Sequence, residues 1–100
     1  MKSVVSKKDY ECFICHSVDR LECHHIFGGA DRAISEKYGL KVMLCNAHHH
    51  GDYGAHGKYG KSIQDFLHQT GQEVIEDIWR REGEENPRAR FRKEFRKSYL

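Results

Sequence analysis

Leu40-Lys41-Val42-Met43-Leu44-Cys45-Asn46-Ala47-His48-His49-His50 is the stretch on which the fold turns. Leu40, Val42 and Leu44 recur at every second residue, the period of a strand with one buried face. Asn46 is able to cap a helix beginning near Ala47, which carries His48 and His49 on its first turn until Gly51 and Gly54 loosen it. A thiol and imidazoles at such a strand-to-helix junction suit Zn²⁺, which takes thiolate and imidazole ligands at short local spacings.

Upstream, Cys12-Phe13-Ile14-Cys15 has the separation of Cys45 and His48. Cys12, Cys15, Cys45 and His48 therefore make the most regular four-ligand set for a structural zinc. Cys23 is the alternative to His48 as fourth ligand. If His48 serves, Cys23 is expected to be a small buried hydrophobe. With no secretory segment beside them, the cysteines read as metal ligands and not as disulfides.

Between the two pairs, Leu21 to Phe27 reads as a strand that Gly28-Gly29 ends, and Asp31 to Tyr38 as a short helix stopped by Gly39. Neighbours on a strand face opposite ways, so His24 and His25 are expected to do different things. In a division of labour one imidazole ligates a divalent ion and the other, neutral near pH 7, takes a proton from water. His49 projects about 100° round the helix from His48 and can meet His24 across the strand–helix gap. His56 lies two turns further if the helix persists and would complete the same ion's protein shell, although the intervening glycines argue against one continuous helix. The alternative for this group is a second structural zinc without catalysis. His50 reads as an outer contact to the ion's ligands or to phosphate, and His16 and His68 as incidental.

The chain of 100 residues is 38% hydrophobic and 32% charged, which suits one small domain with a thin core that a metal would staple. Ile63, Phe66, Leu67, Val74, Ile75, Ile78 and Trp79 keep helical spacing from a Ser62-x-x-Asp65 capping box to Gly83, with Gly71 as a site of a break or a close approach. Asn86-Pro87 separates this unit, residues 1–86, from a segment at 87–100 holding six basic residues against one acidic. Arg88, Arg90, Arg92, Lys93, Arg96 and Lys97, interleaved with Phe91, Phe95 and Tyr99, are expected to contact a phosphate backbone. An amphipathic helix packing Phe91 against Phe95 is an equal expectation, and both can hold together. No apolar run is long enough for a signal peptide or a membrane span, so the cytoplasm is the expected location.

Cys12-Phe-Ile-Cys15, Glu22-Cys23-His24-His25-Ile26 and Leu44-Cys45-Asn46-Ala47-His48-His49 together resemble the HNH endonucleases of the ββα-metal (His-Me finger) class. His24 through Gly29 and Ser35 through Leu40 are also similar to small phage-borne HNH-like proteins, some related to recombination-enhancement nucleases. The resemblance covers roughly residues 10–80. It implies a small α+β fold, a zinc-stabilised ββα-metal core with C-terminal helices. It also implies a phage-encoded, metal-dependent DNA endonuclease acting in recombination or DNA processing. His25 matches the general base, His24 and His49 the ligands of the catalytic ion, and His48 stands where the family has the second cysteine of the zinc pair. The implied catalytic ion is Mg²⁺ or Mn²⁺, with Zn²⁺ or Ni²⁺ also accepted, and the products are a 5′-phosphate and a 3′-hydroxyl. The Asn in the family's name, which braces a loop just before the second strand, is replaced here by Leu40. The competing expectation is a non-catalytic zinc module, acting as a DNA-binding adaptor or as an inhibitor of another protein.

Overall fold

In the computed structural model, which describes residues 2–100, two short strands form the one sheet among the described residues. Strand β1 (Glu22–His25) pairs antiparallel with β2 (Lys41–Leu44), in the register Glu22↔Leu44, Cys23↔Met43, His24↔Val42 and His25↔Lys41. β1 is shorter than the expected 21–27. The alternation puts His24 on the face of Val42 and Leu44, both fully buried, and puts Cys23 and His25 on the other. Cys23 is therefore exposed, not the buried hydrophobe anticipated.

The β1–β2 connection holds a 3-10 turn (Gly29–Asp31) and helix α1 (Arg32–Tyr38), ended by Gly39 at φ 72°. Gly39 is needed there, because that left-handed conformation is strained for any residue with a Cβ. Ser35, fully buried, ties this connection down: its Oγ accepts from the Phe27 N–H at 3.0 Å and donates to the Phe27 carbonyl at 2.8 Å. Leu40 is simply core.

Helix α2 (Asn46–His49) is a single turn on which Cys45, not Asn46, holds the cap position. Helix α3 (Lys61–Arg81) runs 21 residues without a break, and the anticipated capping box does not form. Gly60 occupies the cap position, Ser62 lies inside the helix, and Asp65 pairs with Lys61 at 2.6 Å. Gly71 marks a close approach: a Cβ there would meet Ile26 and Phe27 at 3.0–3.2 Å. The chain just beyond β1 thus packs directly on the helix backbone.

Helix α4 (Pro87–Phe95) starts as its sequence suggests, with Asn86 Oδ1 accepting from the Ala89 N–H at 3.0 Å and Pro87 in the first turn. Phe91 and Phe95 are buried and stack with centroids 4.3 Å apart, and Phe27 contacts both. Residues 87–100, set apart by charge, belong to the same hydrophobic core as the rest. Among the described residues no helix is long and apolar enough to cross a membrane.

Candidate metal centre

Cys12 and Cys15 sit on a tight knuckle closed by Cys12 N–H to Ser17 O (2.8 Å) and His16 N–H to Cys12 O (2.8 Å). The knuckle is fastened to the sheet by Phe13 N–H to Met43 O at 2.9 Å, beside the end of β2. That contact brings Cys12 and Cys15 to Cys45 and His48, and all four donor atoms lie within 4.8 Å of one another. The Cys15 and Cys45 sulfurs are 3.7 Å apart, and His48 Nδ1 is 3.2 Å from Cys45 Sγ and 4.0 Å from Cys12 Sγ. A tetrahedron with Zn–S bonds of ~2.3 Å has edges of roughly 3.8 Å, so these four donors lie within metal-binding distance of one another. His48, and not Cys23, completes the set.

The sulfur environment agrees. Burial opposes the Cys12 thiolate, but backbone N–H groups of Cys45, Cys15 and Ile14 outweigh it and hold the thiol below its ordinary range. At Cys15 the Ser17 N–H favours the thiolate, yet burial and the neighbouring sulfurs of Cys45 and Cys12 win and push the thiol up. Crowded thiolates of this kind are relieved by a shared cation.

The second group of donors is built of imidazole alone. His24, His49 and His56 also place their ligand atoms within 4.8 Å of one another, with ring centroids 5.2, 4.9 and 4.8 Å apart. His24 comes from the buried face of β1 and His49 from the end of α2. His56 does not arrive on a continued helix, because α2 stops at His49. It is delivered by the segment Gly51-Asp-Tyr-Gly-Ala-His-Gly-Lys-Tyr-Gly60, whose glycines recur every third residue. Gly54, Gly57 and Gly60 each donate to the glycine three before (2.9, 2.8 and 3.2 Å), while Ala55 and His56 donate to His48 and His49 carbonyls at 2.9 and 2.8 Å. A Cβ at Gly57 or Gly60 would run into the carbonyl oxygen of Gly51 or Gly54. Those glycines, which argue against a helix, are what fold His56 back on to His49.

Among the described residues, His24 Nδ1 is the one buried side-chain nitrogen or oxygen that no hydrogen bond reaches. Burial, with the nearby imidazoles of His56, His49 and His25, drives its pKa down to about 3, so it is a neutral ring. Burial also lowers His56, together with His49 and His50. Imidazoles converging around an unsatisfied buried nitrogen are the donor set a divalent cation takes. Glu22 Oε1 lies 3.2 Å from His49 Nδ1, which leaves Nε2 of that ring for an ion.

His25 is on the opposite face of β1 from His24 but lines the same cavity, of about 200 Å³, with His24, His56, Gln64 and His68. Its Nε2 is 2.7 Å from Glu36 Oε2, and Lys41 Nζ bonds both oxygens of that carboxylate at 2.9 Å. An Nε2–H donated to Glu36 leaves Nδ1 of His25 as the ring's acceptor. His50 stands outside the inner group, near Glu22 and His49. His68 is a packing residue, stacked on Phe27 at 5.2 Å.

The basic residues of the tail divide. Arg88 is bound to the buried Glu76 at 2.8 Å, Arg90 lies over the Trp79 ring at 4.1 Å, and Arg96 pairs with Asp31. The first two are tied into the fold by these contacts, with side chains 40% and 36% exposed. Arg92, Lys93 and Lys97 stay exposed, and Arg96 keeps an exposed side chain despite its pair.

Residue order alone does not single out Glu36, Glu22, Ser35 or the work of the glycine repeat. The period-three glycine pattern is visible in the sequence; the acids and Ser35 gain meaning only from what the fold sets beside them. Compared with family models, with curated proteins and with solved structures, the chain matches none.

Proposed function

We propose that this chain is a metal-dependent DNA endonuclease of the HNH, ββα-metal type. The observation that carries the proposal is the unsatisfied, buried Nδ1 of His24 among His49 and His56, in a cavity that His25 also lines. Cys12, Cys15, Cys45 and His48 hold a structural zinc, and His24, His49 and His56 hold the catalytic ion, Mg²⁺ or Mn²⁺ with Zn²⁺ or Ni²⁺ as substitutes. When bound, that ion supplies Lewis-acid stabilisation of charge developing on the phosphodiester oxygens.

The remaining steps belong to side chains. His25 takes the proton of the attacking water at Nδ1. Glu36 accepts the Nε2–H of the same ring, holds its tautomer and stabilises the imidazolium that forms, and Lys41 keeps the carboxylate in place. Ser35 makes the loop brace that the family obtains from its Asn. Arg92, Lys93, Arg96 and Lys97 supply a basic, salt-sensitive contact to the DNA backbone.

The test is nicking of supercoiled plasmid in Mg²⁺ or Mn²⁺ by wild type and His25→Ala. The variant is expected to keep one zinc per chain and the wild-type far-UV spectrum while its rate falls by about 10²–10⁴-fold, the usual contribution of a positioned base. Equal nicking by both proteins removes His25 from the mechanism. Binding of DNA without cutting in any of Mg²⁺, Mn²⁺, Ni²⁺ or Co²⁺ replaces the enzyme with a zinc-dependent adaptor.

A further inference from the structure

A further group of three donors lies at the rim of the imidazole centre, and only His49 among them also belongs to the inner group. Glu22 opens β1, and His49 and His50 close α2. Their ligand atoms also lie within 4.8 Å of one another. Glu22 Oε1 is 3.2 Å from His49 Nδ1 and 3.4 Å from His50 Nε2, and the His49 and His50 rings are 4.1 Å apart. Consecutive helical side chains diverge by about 100°. These two rings nonetheless come together, with His50 as the C-cap residue at the end of the one-turn helix. Glu22 and His50 are half exposed, so an ion bound here reaches solvent and completes its shell with water.

We propose that Glu22, His49 and His50 form a second cation site, for a borderline transition ion such as Zn²⁺, whose filling competes with the inner ion for His49. Two imidazoles and one carboxylate are a common zinc donor set, whereas Mg²⁺ prefers an octahedral shell of oxygens. The competition follows from the ring itself. A neutral imidazole has one N–H and one lone pair, so it serves one cation at a time. Binding the rim ion through Nδ1 moves the ring's proton to Nε2 and removes the lone pair offered inward. The rim site stands on its own geometry; the competition rests on the reading of His24, His49 and His56 as the inner ion's ligands. Its consequence is a nuclease whose cutting in Mg²⁺ or Mn²⁺ is suppressed when zinc fills the rim site.

The binding test uses full-length protein carrying its knuckle zinc and the exposed-residue variant His56→Ala, which depletes the inner set and leaves the rim whole. Titrated with Zn²⁺ against a chelating dye, His56→Ala is expected to take up one further ion, and adding His50→Ala to weaken that uptake at least tenfold. Uptake indifferent to His50 overturns the site. A second measurement titrates Zn²⁺ into Mn²⁺-driven plasmid nicking. The wild-type rate is expected to fall at least tenfold while His50→Ala retains most of its activity; equal suppression of both overturns the competition. If nothing cuts in any metal, the nuclease reading falls, and the binding titration still decides whether the rim site exists.

Discussion

Two clusters of sulfur and imidazole donors meet at one turn of helix and differ in almost every physical respect. The knuckle group is three sulfurs and one imidazole at the spacing of a closed tetrahedron, with two of its cysteines buried. The inner group is three imidazoles around an unsatisfied nitrogen, opening on a cavity of about 200 Å³ with an oriented histidine on its wall. A full protein shell holds structure together, and an incomplete one leaves coordination positions for water and substrate. His48 and His49 are consecutive, and each belongs to a different cluster. Whatever fixes the knuckle therefore also aims His49, which makes the closed site the scaffold of the open one.

The sharpest way to break that dependence is Cys45→Ser. A structural zinc in a small domain contributes on the order of 10 kcal/mol to folding. The variant is expected to lose its zinc, its cooperative thermal transition and both clusters together, whereas His56→Ala should melt within a few degrees of wild type. Far-UV circular dichroism and zinc analysis of the two variants measure this. A Cys45→Ser protein that still melts cooperatively near the wild-type temperature would separate the two sites.

Protons sharpen the comparison at the inner site. The His24 pKa falls from 6.5 in the unfolded chain to about 3 in the folded one. Between those values the unfolded state binds more protons, so acidification through this window removes stability, and raising the pH restores it. His56 and His68 are lowered too and act with the same sign. The His24→Leu variant lacks the largest of these groups. In urea unfolding without added inner-site metal, it is expected to gain on wild type by about 1.4 kcal/mol for each pH unit below 6, the slope of one linked proton. Parallel stability profiles for the two proteins from pH 7 to 5.5 would show that His24 is not held neutral.

The two regions also differ in how far residue order reveals them. The knuckle ligands lie at short regular spacings, the two strands alternate, and α3 keeps its apolar period, so these are readable from local pattern. The convergence of His24 with His49 is readable as a strand facing the turn that follows its partner strand. His56 reaches the inner group by a route that helical spacing does not describe: its position depends on stacked turns in which a missing Cβ at Gly57 and Gly60 lets backbones touch, a tertiary fact that helix-breaking rules register only as interruption. The expected Asn46 cap and Ser62 box fail because Cys45 and Gly60 take the cap positions. Glu36 becomes a partner of His25 only when α1 is laid beside β1, eleven residues apart in sequence.

The basic segment carries the same lesson on a smaller scale, since six similar charges sit in two different environments. Arg88 neutralises the buried Glu76, so its removal leaves that carboxylate with the neutral Gln72 amide and no opposite charge, whereas Arg92 and Lys93 are exposed on α4. The double variant Arg92→Ala/Lys93→Ala is expected to melt as wild type does and to bind DNA with a smaller salt dependence, the slope of log K against log salt falling by up to about 0.9 for each phosphate that is no longer neutralised. Arg88→Ala is expected to do the opposite, lowering the melting temperature while leaving the slope unchanged. Fluorescence anisotropy with labelled DNA over a salt series, beside a thermal melt, measures both. An unchanged slope in the double variant would assign these two charges to a solvated helix face and leave DNA binding to other parts of the surface.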